Sequence, residues 1–68
     1  MLDAEFIFEV GQWLRSEAVG PAAAFNGEVV MVGPEGERVV MRDSRGRRWA
    51  RVRSQLSRID AGEEANGE

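Results

Sequence analysis

The sequence predicts a small all-β domain of about five short antiparallel strands. Three observations predict it. Residues 27–33, GEVVMVG, are a compact apolar run between two glycines. Two tight-turn signals, Pro34-Glu35-Gly36-Glu37 and Asp43-Ser44-Arg45-Gly46, cut the sequence that follows into strand-sized pieces. Those pieces, RVVMR and RRWARVR, alternate in character as strands with two unlike faces do.

The 68 residues make one domain, expected over 1–60 with an N-terminal arm. A chain this short buries only about 60% of its extended surface. There is no cysteine to staple it, and cysteine and histidine, the usual zinc ligands, are both absent. Cohesion must come from an apolar core, to which self-association as a homo-oligomer would add. Residues 61–68, AGEEANGE, offer no apolar anchor and are expected to form a disordered acidic tail.

The N-terminal ten residues read two ways. Leu2, Phe6, Val10 and Leu14 lie at helical spacing, while Phe6, Phe8 and Val10 alternate as in a strand. Gly11 and the Phe and Ile content favour extended structure, over about 5–9 and again over Gln12–Arg15. Residues 16–26, punctuated by Gly20-Pro21, suit a broad loop. Phe25 there serves as a plug or as an exposed contact. The run at 27–33 is apolar on both faces, which predicts a central or strongly bent strand. Pro34 and Gly36 then fit a type I turn counted from Gly33.

Over 38–42, Val39 and Met41 share one face, and Arg38, Val40 and Arg42 the other. Gly46 supplies the positive φ of the next hairpin turn. Over 47–53, Ala50 and Val52 alternate with Trp49, Arg51 and Arg53, so the expectation puts Ala50 and Val52 beneath and the tryptophan and arginines outward. A 3₁₀ turn at 54–56 and a short strand at 57–59 complete the chain. Trp49, Val52, Leu56 and Ile59 also fit a helix over 47–59, and that alternative stays open here.

Val10-Gly11, Gly27-Glu28-Val29-Val30, Val39-Val40-Met41-Arg42, Gly46 and Trp49 stand where small barrels carry their strand and turn residues. Over residues 8–59 the chain resembles the SH3-like small barrel, in particular the KOW- and Tudor-like barrels and small actinobacterial barrel proteins. The resemblance implies a broad loop, two tight turns and a 3₁₀ turn before the last strand. The KOW glycine-lysine pattern is incomplete, because the chain has no lysine. The aromatic cage of Tudor domains is not carried over.

Charge is strongly segregated. Residues 1–37 set Arg15 against Asp3, Glu5, Glu9, Glu17, Glu28, Glu35 and Glu37, a balance of −6. Residues 38–58 hold eight arginines against Asp43, a balance of +7, and 59–68 carry −4. Histidine, cysteine and tyrosine are absent, which removes the usual general base and the strongest nucleophile, so no enzyme is expected. No cofactor or metal is expected either. The candidate site is Arg38, Arg42, Arg45, Arg47, Arg48, Trp49, Arg51 and Arg53. An aromatic plane among guanidinium groups can stack a base while the forks hold phosphate. Trp49 reads more readily as core, since a chain this short needs large side chains there, Trp13 reads as core, and the arginines read as a solvated face paired with Glu28, Glu35 and Glu37. The expected partner is nucleic acid, in a transcription-associated accessory role. The alternative is a protein–protein adaptor that meets an acidic protein surface or adds a strand at a sheet edge. No run approaches the roughly 18 apolar residues of a membrane span, and the N-terminus lacks a basic leader, so a cytoplasmic protein without a membrane partner is expected.

Overall fold

The computed structural model describes residues 2–59. Five antiparallel strands form one curled half-barrel sheet: β1 (Trp13–Ser16), β2 (Phe25–Val32), β3 (Arg38–Arg42), β4 (Arg48–Val52) and β5 (Leu56–Ser57). A 3₁₀ turn, Arg53–Gln55, precedes β5. The strand order is β4-β3-β2-β1-β5. The all-β expectation therefore holds, and 47–59 is not a helix. The expected acidic tail at 61–68 lies outside the described residues. Among the described residues no helix is long and apolar enough to cross a membrane.

β2 is both central and bent. Its register against β3 runs Glu28↔Arg42 and Val29↔Met41, then slips at Val30 to Met31↔Val40 and Val32↔Val39. The extra residue is a bulge, which bends the strand. It lets Val29 and Val32 both reach the core while Met31 points out, 58% exposed. That accounts for an apolar run with no clean alternation. Gly27 is required by close approach. A Cβ there would lie 2.7 Å from the Arg42 carbonyl oxygen and 2.8 Å from Phe25 Cε2.

The β3–β4 hairpin corrects the expected facing of β4. Asp43 N–H donates to the Arg47 carbonyl and Gly46 N–H to the Asp43 carbonyl, with Gly46 at φ 84°. This is a type I turn followed by a left-handed glycine that bulges, so the loop spans three residues rather than two or four. Arg42 then pairs with Arg48, Met41 with Trp49, Val40 with Ala50 and Val39 with Arg51. Directly opposed residues share a face. Trp49 and Arg51 thus join Val39 and Met41 inside, while Ala50 and Val52 face out. One residue of register inverts the whole strand.

The core is Leu2, Phe8, Leu14, Val29, Val39, Met41 and Leu56, with Phe6, Phe25 and Val32 packed against it. Phe25 is therefore the plug of the two readings. Of the two readings of 5–9, a short strand or an arm, the arm holds and no strand forms. Residues 2–9 are an arm that covers one opening of the half-barrel, anchored by buried Leu2 and Phe8 and by Leu2 N–H on the Leu56 carbonyl. Arg53 fixes this arm by donating from Nη1 to the carbonyls of Asp3 (2.9 Å) and Phe6 (2.6 Å). A side chain thus supplies the hydrogen bonds that a neighbouring strand would have made. The broad β1–β2 loop turns at Gly20-Pro21, where Val19 and Ala22 exchange both backbone hydrogen bonds.

Candidate nucleic-acid interface

Seven of the eight predicted residues separate into two groups, one inward and one exposed, and Arg38 stands apart. Arg51 is drawn into the interior, 6% exposed. Its Nε donates to Ser16 Oγ at 2.7 Å and its Nη1 to the Ala50 carbonyl at 2.7 Å. Its guanidinium lies 5.5 Å from the Phe25 ring centroid and 5.4 Å from that of Trp49. The side chain crosses the half-barrel from β4 to β1 as a strut. Arg53 is half-buried over Phe8 and pairs with Glu37 at 3.2 Å as well as with the arm. These two arginines hold the fold together and do not face a partner. Outside the predicted set, Arg58 stacks on Phe6 at 4.9 Å.

Trp49 is half-buried. Its indole Nε1 donates to Asp43 Oδ2 at 2.9 Å, and Arg51 and Phe25 crowd its ring. Asp43 Oδ1 in turn accepts the Arg45 and Arg47 backbone N–H groups. The Trp49 bond, those two N–H groups and the Arg47 charge hold the Asp43 carboxyl below its ordinary value, against an opposing effect of partial burial. One carboxylate therefore organises the whole turn. Of the two readings of Trp49, the inward one holds, and no free aromatic plane stands among outward arginines.

The second group is brought together. Arg42, Arg45, Arg47 and Arg48 surround the β3–β4 turn, and all are exposed. Arg42 donates to Glu28 Oε1 at 2.9 Å yet keeps 48% of its side chain exposed. The side chains of Arg45 and Arg48 make no hydrogen bond or ion pair among the described residues. Arg38 sits at the far end of β3, about 13 Å along the strand by its rise per residue.

Trp13 is misplaced by sequence reasoning as well. It was read as core, and it is 57% exposed on the outer face. The usable signal was parity: Leu14 and Ser16 are buried, so Trp13 and Arg15 must point the other way.

The chain matches no protein-family model, no curated relative and no solved structure.

Proposed function

We propose that this chain is a non-catalytic binding module that holds nucleic acid on the arginine turn between β3 and β4. The observation that carries this is the cluster Arg42, Arg45, Arg47 and Arg48, in which Arg45 and Arg48 have no internal anion among the described residues. Asp43 fixes the turn from inside with both oxygens, so its charge is directed at the turn itself. Guanidinium forks match phosphate geometry. With Trp49 occupied, contact at this turn is to the sugar-phosphate chain, which positions a ligand without reading its sequence. The resemblance to SH3-like barrels of the KOW and Tudor kind agrees with this reading, as does a cytoplasmic setting. Fold likeness alone does not assign function.

The adaptor reading keeps one supporting observation. Met31, Val40 and Ala50 form a row across β2, β3 and β4 on the outer face, beside Arg38 and Arg42. An acidic protein with apolar contacts would fit it. Strand addition at β4 is disfavoured. The flanking bonds Arg53 N–H to the Glu37 carbonyl and Asp43 N–H to the Arg47 carbonyl fix the alternation, so Arg48, Ala50 and Val52 point their backbone groups outward. Val52 N–H is already held by Gln55 Oε1 at 3.0 Å, and the Ala50 carbonyl by Arg51 Nη1.

The test is titration with DNA and RNA at low and moderate salt. Four phosphate contacts give a slope of log affinity against log salt of about −3 for a single strand. Arg45→Glu combined with Arg48→Glu is expected to weaken binding at least tenfold and to flatten that slope by about 1.4, without altering thermal unfolding. Absence of binding at low salt rules the reading out.

A further inference from the structure

The register assembles a row that the sequence does not display. Trp13 pairs with Glu28, Glu28 with Arg42, and Arg42 with Arg48. All four point to the outer face, and Trp13, Arg42 and Arg48 are exposed. With neighbouring strands about 4.8 Å apart, the backbone at Trp13 lies about 10 Å from that at Arg42 and about 14 Å from that at Arg48, measured along the sheet. On its other side Trp13 borders an open cleft of about 320 Å³ lined by Phe6, Gln12, Leu14, Arg58 and Ile59. The only acid in the row, Glu28, is already bound to Arg42. An exposed indole thus stands between a cationic cleft wall and a pair of guanidinium groups.

We propose that Trp13 is a base-stacking platform and that the ligand of this surface is single-stranded nucleic acid. This rests on the reading of the arginine turn given above and names its ligand more narrowly. Phosphates of a strand crossing the sheet meet Arg42 and Arg48, and a base leaves the strand to stack on Trp13, with Arg58 across the cleft. A duplex keeps its bases stacked internally and cannot present a free ring face to the indole, so it gains only the arginine contacts. The charge of the row favours this ligand over an acidic peptide, because every base of a strand carries both a π-face and a neighbouring phosphate.

The experiment compares a single-stranded oligothymidylate with a duplex of equal length, using wild-type protein, Trp13→Ala and Trp13→Phe. Trp13→Ala is expected to weaken single-strand binding about tenfold or more while leaving its salt slope and duplex binding unchanged. Trp13→Phe retains most of the affinity. In nuclear magnetic resonance spectra the Trp13 indole N–H signal shifts with the single strand and not with the duplex. Salt-sensitive binding that treats both nucleic acids alike and is indifferent to Trp13→Ala overturns this inference and leaves the arginine-turn reading standing. Failure of the wild-type protein to bind either nucleic acid, at every salt, removes both. A Trp13 signal moved by polyglutamate and not by the oligonucleotide also overturns it, in favour of an acidic protein.

Discussion

Arg51 carries a charge into the interior, and no carboxylate meets it among the described residues. Its Nη2 is buried without a hydrogen-bond partner. Burying an unpaired cation is costly, and two aromatic faces and two hydrogen bonds offset only part of that cost. The side chain's value is therefore largely its volume between Phe25 and Trp49. Arg51→Ala opens a cavity and leaves Ser16 Oγ with only its bond to the Glu17 carbonyl, with an expected loss of about 2–4 kcal/mol in urea unfolding. Arg51→Met fills the space without charge and is expected to lose less than half as much. Asp43 works in the opposite direction. Its depressed folded-state pKa means that its contribution is present above its ordinary 3.8 and is lost as pH falls through the lower folded value. The Trp49 indole signal is expected to move in that acid range, and Asp43→Asn should abolish the step. At this scale the sequence was least legible. Trp49, Arg51 and Trp13 were all assigned to the wrong side or left undecided. The facing of Trp49 and Arg51 depends on register, and the β3–β4 register depends on one left-handed glycine.

Strands were legible where turns announce them. β3 is formed by Arg38–Arg42, as expected, because glycine-bearing turns bracket it on both sides. The 3₁₀ turn and the last strand were also expected, each about one residue later than observed. β1 and the arm were less legible. Two of the arm's carbonyls are met by Arg53, a residue 47 positions away from Phe6, and no local pattern encodes that partner. The glycines at 27 and 33 were read as brackets of the apolar run. Gly27 has a further role, since it admits the Phe25 ring and the Arg42 carbonyl. Gly27→Ala is therefore expected to cost about 1–3 kcal/mol through overpacking against backbone that cannot yield. Thermal unfolding measures the loss. β4, the exposed edge, is guarded by Gln55 and by Arg51's own reach back to Ala50. Protected edges of this kind keep a small sheet from pairing with itself.

Across the whole molecule, the +7 block of the sequence is divided between two tasks. Arg51 and Arg53 close a half-barrel that lacks a full ladder, and Arg42, Arg45, Arg47 and Arg48 are left to the solvent. Total charge could not reveal this division, because the same residue type does both jobs. The strut also bears on the order of folding. The Trp49–Asp43 bond spans 6 residues and the Arg42–Glu28 pair 14, while Arg51–Ser16 joins residues 35 apart. Contacts of short span close cheaply and early, whereas long-span contacts wait for the chain between them to be ordered. The strut is then made on the native side of the folding barrier. Arg51→Ala should leave the refolding limb of a stopped-flow chevron near wild type and place its stability loss in faster unfolding. The cross-barrel arginine would thus act as a latch that sets how long the folded molecule lasts, while the hairpin of β3 and β4 sets how quickly it is reached.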